Sequence, residues 1–425
     1  MSDFRDRASA GLRRIAGSAS SLGPGLVDAG LSSLAGFAAS LYAVRSLHAA
    51  DLGAFSLYLA AVTVASLLPQ QLIFLPAQVA ALDAPRDMRV AILRQVVLRG
   101  VLVAAIVAPA AALSGVIVAG DVSASTLMAL ATGAAALIVL SPAQDHVRSA
   151  LYLADAPRQA AGVSAVQLAL TAGALGSLHL AGLPAAWVPF TALAIAATGS
   201  AAWGLATTAG SAGPVGKLPP WRELVRPGRA LLPAALIQEG TIFVSAALLA
   251  AIASATTLGS AEAARIVSRP VQVLSLGVSR SMAPRLMEAG RERSTSRAKG
   301  AALIYVLTLA GAGLAYVALT GWPHSLNPFD RLVPVAYALE GLVALILLAT
   351  FAGAIGSLPR AILIAGRKER ELLVITVLAS LVRVAAVVLL AASIGAYALP
   401  VSQLLGVVVS GGLGARAAAA ALDRR

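Results

Sequence analysis

Apolar residues run through this chain in stretches of about 20 or more, broken by short segments of turn residues or charge. A helix rising about 1.5 Å per residue needs about 20 such residues to cross a hydrocarbon core about 30 Å thick. Stretches of that length occupy residues 24–46, 54–81, 97–119, 125–153, 160–181, 184–208, 230–253, 260–286, 300–321, 334–358, 372–394 and 396–415. The pattern therefore predicts an all-α integral membrane protein with about twelve transmembrane helices. The breaks carry turn chemistry, as in Ala84-Pro85-Arg86 and Asn327-Pro328-Phe329-Asp330. Arg13 and Arg14 precede the first stretch as they would in a signal peptide, but its apolar run is too long for a signal core and eleven more come after it.

The longest polar break, Gly210 to Arg229, holds Pro214, Pro219, Pro220 and Pro227 and falls at the middle of the chain. It predicts an N-terminal lobe over 1–208, a cytoplasmic linker over 209–229 and a C-terminal lobe over 230–425. With six spans each, the two lobes start on the same side and are parallel, so a symmetry axis relating them runs along the membrane normal. Weak repetition supports this. Leu52-Gly53 recurs as Leu258-Gly259 at an offset of 206, and Arg148, Leu151 and Arg158 recur as Arg360, Leu363 and Arg370 at an offset of 212. Two parallel six-helix lobes around a central cleft form a transporter architecture that works by alternating access. A membrane scaffold without a path is the alternative, and polar residues inside the spans distinguish the two.

Composition narrows the classes. Of 425 residues, 59% are hydrophobic and 12% charged, too few polar groups to cover a soluble protein of this size. The net charge of +13 raises nucleic acid as a partner, but 27 of the 32 lysines and arginines fall on one side of the twelve-span map. That is the positive-inside pattern of a multi-pass protein of the cytoplasmic membrane with both termini cytoplasmic. The 19 aromatic residues are scattered, so no nucleic-acid module is expected. There are no cysteines, and His48, His146, His179 and His324 are far apart, so no metal site is expected. There is no phosphate-binding glycine loop, and the first outer loop holds the single acid Asp51. No enzyme activity and no bound cofactor are expected.

Ionisable side chains at bilayer depth are costly and mark candidate sites. Glu239 sits near the middle of the seventh span, and Arg269 and Arg383 reach similar depth in the eighth and eleventh. Arg265, Arg269 and Gln272 share one helical face, with Pro270 at an expected kink. A Glu239–Arg269 pair joining spans seven and eight is the structural reading. In the functional reading the arginines hold an anionic substrate and Glu239 binds a coupling ion. Asp28, in the first turns of its helix, suits the positive end of the helix dipole or an ion site. Glu340, nearer the outer surface, is the third ion-coupling candidate. Arg45 closes the first span and suits the interface. In the first lobe, span two carries Ser66, Pro69, Gln70, Gln71, Pro76 and Gln78, and span four is interrupted at Ser141-Pro142, followed by Gln144, Asp145, His146 and Arg148. Gln70, Gln71, Gln144, Asp145 and Arg148 are placed on the cleft or its cytoplasmic mouth.

The segment Arg45-Ser46-Leu47-His48-Ala49-Ala50-Asp51-Leu52-Gly53-Ala54-Phe55-Ser56-Leu57 resembles the first external turn of polysaccharide flippases in the multidrug/oligosaccharidyl-lipid/polysaccharide (MOP) exporter superfamily. There, Arg-x-Leu closes span one and acidic-x-Gly-x-Phe-Ser opens span two. His48-Ala49-Ala50 stands where Gly-Pro is frequent. Gln144-Asp145 with Arg148, and Pro270 with Pro284, are similar to that family too. The resemblance implies a flippase moving an undecaprenyl-pyrophosphate-linked oligosaccharide between leaflets for surface polysaccharide biosynthesis, driven by a proton or sodium gradient. It implies a polysaccharide polymerase or glycosyltransferases as partners, and a substrate role for Arg45, Asp145 and Arg148. Other readings stay open: a multidrug/cation antiporter of the same superfamily, using Asp28 or Glu239; a lipid II flippase relative, although those usually have two further spans; and a non-transporting component of a polysaccharide secretion complex.

Overall fold

The computed structural model describes residues 27–82, 86–154, 156–208, 220–271, 275, 294–322, 326–327, 329, 334, 337, 339–356, 358–365 and 368–423. Every regular element among them is helical. The N-terminal lobe comprises α1 (Val27–Ser46), α2 (Ala49–Pro69), a π-helical segment (Gln70–Phe74), α3 (Leu75–Leu82), α4 (Arg86–Val107), α5 (Ala124–Leu153), α6 (Pro157–Leu180) and α7 (Val188–Thr207). The C-terminal lobe comprises α8 (Trp221–Ile252), α9 (Ala255–Ile266), α10 (Thr295–Thr320), α11 (Leu342–Gly356), α12 (Leu358–Ala365), α13 (Glu369–Ile394) and α14 (Ala398–Asp423).

Ten helical stretches among the described residues are long and apolar enough to cross a membrane. The last, Arg370–Leu422, is 53 residues long and contains both α13 and α14, turned at Gly395, whose φ of 54° is readily adopted only by glycine. The eighth predicted span is represented by α9. That helix stops at Ile266, a few residues before Pro270, where a preceding turn is disfavoured in helical geometry. Gln272 and Pro284 lie outside the described residues.

Three boundaries differ from expectation. The helix of α8 begins at Trp221, inside the stretch predicted as linker, and its first turns belong to the N-terminal lobe. Leu224 is buried among Ile73, Phe74, Leu93 and Ala150, and the Arg99 guanidinium lies 5.6 Å above the Trp221 ring. Span four is not interrupted: α5 runs unbroken for 30 residues through Pro142. The π-helical segment absorbs the expected break in span two. The Leu75 N–H donates to the Gln70 carbonyl, five residues back, just before Pro76, which has no N–H to give.

The two lobes meet at the end of the molecule where lysine and arginine are scarce. A core drawn from both lobes, with Leu52 and Phe55 facing Leu258 and Ala263, fills that end. The repeated glycines are its closest point. A Cβ on Gly53 would run into the carbonyl oxygen of Ala255, and one on Gly259 into the carbonyl oxygen of Ala49. Residues 49 and 255 are separated by the same 206 positions as 53 and 259, so the contact is reciprocal about the lobe axis. Only small residues let helix backbones approach this closely. Two hydrogen bonds frame it: Ala255 N–H donates to Asp121 Oδ2 at 2.9 Å, and Tyr337 O–H donates to the Leu47 carbonyl at 2.8 Å. Burial first, and then the Asp51 carboxylate, pushes the Tyr337 phenol above its ordinary value and keeps it a donor.

Candidate functional site

Two cavities lie end to end in the C-terminal lobe. The first, about 170 Å³, is lined by Glu262 and Arg265 of α9, Ile242 of α8, Thr350 of α11, Arg383 of α13 and Gln403 of α14. Ser56 and Ala60 of α2 complete it from the other lobe. The second, about 280 Å³, extends toward the cation-rich end past Gln238, Thr241, Thr376, Ser380 and Arg360. Ile242, Arg383 and Gln403 line both, so they stand where one gives way to the other.

The charges along this track differ from the pairing expected. Glu239 does not meet Arg269. The acid that does is Glu262, 2% exposed, whose carboxylate receives Arg265 at 2.7 Å and lies 3.6 Å from Arg269. Ser56 O–H donates to the same carboxylate at 3.0 Å from across the lobe boundary. A fully buried carboxylate persists only with such partners. Its Oε1 atom has no hydrogen bond, and neither has Arg383 Nε, so polar capacity remains unused in the cavity wall. Glu239 is half-buried and feels the charges of Arg383 and Arg360, while Arg360 donates to the neighbouring Gln238 at 2.6 Å. Among the described residues the cavity walls thus hold one carboxylate, Glu262, against three guanidiniums, Arg265, Arg383 and Arg360, with Arg269 beside Glu262 and Glu239 near Arg383 and Arg360 just outside the linings.

The sequence does not single out Glu262, Ser56 and Gln403 as site residues. Two signals pointed to Glu262. It lies three residues before Arg265 on the same face, and the offset of 206 that relates the repeated glycines maps Ser56 onto Glu262. The hydrogen bond between them therefore joins equivalent positions of the two lobes.

A second polar cluster sits inside the N-terminal lobe. Asp28, 1% exposed, accepts from Tyr152 at 2.7 Å and Ser164 at 2.5 Å, and Arg148 lies 3.7 Å away. Arg148 also binds Asp145 at 2.9 Å. Asp28 is therefore held by side chains from α5 and α6 in addition to any dipole contribution. Arg148 and Arg360, already matched in sequence, play matching parts: each reaches from the fourth span of its lobe to polar groups on the first.

The remaining expected residues are dispersed. Gln70 and Gln71 are half-buried in the π-helical segment beside α8. Gln144 is buried next to the Asp28 cluster in sequence, with an unbonded Nε2. Arg45 is exposed at the end of α1. Glu340 is exposed in the turn before α11 rather than inside a span, and its carbonyl accepts from Tyr397 at 2.6 Å.

Beside the second cavity, across Gly356, Pro359 and Val407, an apolar groove of about 810 Å³ runs between α10, α11, α12 and α14, with Lys299 among its lining residues.

No family model matches the chain, and no curated protein matches it in sequence. Solved structures do match in fold. An inward-facing MATE family multidrug resistance transporter of the MOP superfamily aligns over 92% of this chain and 95% of its own, with a TM-score of 0.61 and 14% identity. The lipid II flippase MurJ, in an inward closed conformation, aligns over 92% and 86%, with a TM-score of 0.62 and 11% identity. A MOP superfamily transporter from Pyrococcus furiosus, described as having a binding pocket of reverse polarity, aligns over 95% of both chains, with a TM-score of 0.57 and 11% identity. This likeness, over more than nine-tenths of the chain, gives the protein a fold similar to that of these MOP superfamily transporters.

Proposed function

We propose that the protein is a transporter that moves an anionic amphiphile across the cytoplasmic membrane by alternating access, and that the amphiphile is a polyprenyl-pyrophosphate-linked oligosaccharide. The observation that carries this reading is the surplus of guanidiniums along the two cavities. Arg265, Arg269 and Arg383 offer planar donor pairs that suit the adjacent oxygens of a pyrophosphate, and a low-dielectric wall strengthens such contacts. The apolar groove beside the second cavity suits an isoprenoid tail that stays in the bilayer. The charge bias puts the cation-rich end, with both termini, in the cytoplasm. In this orientation the glycine contact closes the outer end and the second cavity faces the cytoplasmic half.

Deletion followed by measurement of lipid-linked oligosaccharide and its sidedness tests the reading. Accumulation of the intermediate on the cytoplasmic leaflet is the expected result, and unchanged sidedness with altered drug sensitivity contradicts it.

A multidrug/cation antiporter is the second reading, favoured by Asp28. A buried carboxylate that accepts two hydroxyl hydrogen bonds and lies beside one arginine is suited to a proton or cation cycle. Asp28→Asn retains an acceptor for Tyr152 and Ser164 and removes the charge. On this reading the variant folds, loses ion-coupled drug efflux, and leaves surface glycan unchanged.

A further inference from the structure

We infer that Glu262 occupies the substrate's anion position on Arg265 and Arg269 when no substrate is bound, and that its hydrogen bond to Ser56 thereby latches the cation-poor end shut. The inference rests on the transporter reading above and adds how the binding site controls the gate.

Three observations carry it. Glu262 is the buried carboxylate of the first cavity, and two arginines turn toward it, Arg265 of the same helix at 2.7 Å and Arg269, just past the end of that helix, at 3.6 Å. Its remaining contact, Ser56 at 3.0 Å, comes from the opposite lobe. Ser56 and Glu262 are equivalent positions in the two lobes, one helical turn inside the reciprocal glycines, so the bond sits at the centre of the closed end.

An arriving phosphoryl group with two or more charges competes with a single carboxylate for the same guanidiniums. Once displaced, a desolvated carboxylate has no reason to remain at the lobe boundary. It turns from Ser56, and the contact that holds α2 to α9 at that depth is lost. A cation is a poor occupant of this position, because Arg265 and Arg269 repel it. The device is thus selective for anionic substrates, and it ties opening of the gate to occupancy of the site.

The chain has no cysteine, so a single introduced thiol reports access without background. Ala60, one turn below Ser56, lines the first cavity and is 9% exposed. Ala60→Cys is labelled from the cation-poor side with a membrane-impermeant maleimide, with Ala246→Cys, on the part of the wall that α8 supplies, as the second reporter. Adding Ser56→Ala or Glu262→Ala is expected to raise the labelling rate about tenfold, the effect of losing one charge-assisted hydrogen bond. Farnesyl diphosphate, as a soluble anionic amphiphile, is expected to raise labelling with Glu262 present and to add nothing to Glu262→Ala. Unchanged labelling in both latch variants at both reporters overturns the latch, whatever is transported. Faster labelling in the variants with no response to farnesyl diphosphate upholds the latch and overturns the anionic-substrate reading.

Discussion

His146 shows how a polar residue at bilayer depth can be purely architectural. Its Nε2 lies 2.8 Å from the Leu93 carbonyl, its Nδ1 3.3 Å from Gln78, and its ring stacks on Phe74 with centroids 4.3 Å apart. His146→Ala leaves the Gln78 amide without this partner and removes the stack. A loss of about 1–3 kcal/mol is expected, read as a lower unfolding midpoint in detergent with substrate preference unchanged. An unaltered midpoint would show that these contacts carry no stability. Glu262 is the contrasting case. In the sequence it stands at the very start of the stretch 260–286, so it does not read as a residue at mid-bilayer depth, and a search for the partner of Arg269 turns to acids in neighbouring spans. The repeat at 206 was the better guide, because symmetry-related positions meet at an axis whatever their chemistry. Asp28 and Arg148 were both legible as unusual, yet nothing local in the sequence joins residues 120 positions apart.

At the scale of elements, proline was an unreliable sign of a break. Pro142 sits inside a continuous α5, while the segment before Pro76 becomes π-helical. A membrane helix can absorb a missing N–H by local widening or by neighbouring groups, and sequence alone does not say which. The π segment has a structural consequence. One extra residue in a turn rotates the remainder of the helix by about 100°, and in this register Gln78 on α3 meets His146. Deleting Leu72 is expected to restore α-helical register, carry Gln78 away from His146 and lower stability by about the same amount as His146→Ala. If deletion leaves the unfolding midpoint unchanged, the register is not what positions α3. The start of α8 was hidden for a related reason. Leu224 sits in a proline-rich, charged stretch that reads as linker, and its burial depends on α3, α4 and α5, which the local pattern cannot announce.

At the scale of the molecule, the two-lobe plan was the most legible feature, because it rests on many residues at once: apolar runs, a central polar break and an uneven distribution of cations. The structure adds where the lobes meet. The lobes touch through backbone at Gly53 and Gly259, so closure of that end tolerates no side chain there. Gly259→Val is expected to hold the lobes apart and reduce export about tenfold or more, since overpacking of a tight contact costs about 1–3 kcal/mol. Gly120→Val, where an added Cβ meets nothing within 4 Å, is the matched control and is expected to leave export intact. Equal effects of the two substitutions would mean that the reciprocal contact is not part of the transport cycle.

The central claim is that guanidiniums in the C-terminal lobe carry an anionic head group across the bilayer. The most direct measurement uses purified protein in proteoliposomes and tracks leaflet transfer of a fluorescent short-chain polyprenyl-pyrophosphate-linked sugar. The native chain is expected to transfer it, Arg383→Ala to lose at least about tenfold of the rate, the loss of one charged contact or more, and Arg383→Lys to recover part. Transfer by Arg383→Ala together with Arg269→Ala at the native rate would contradict the account.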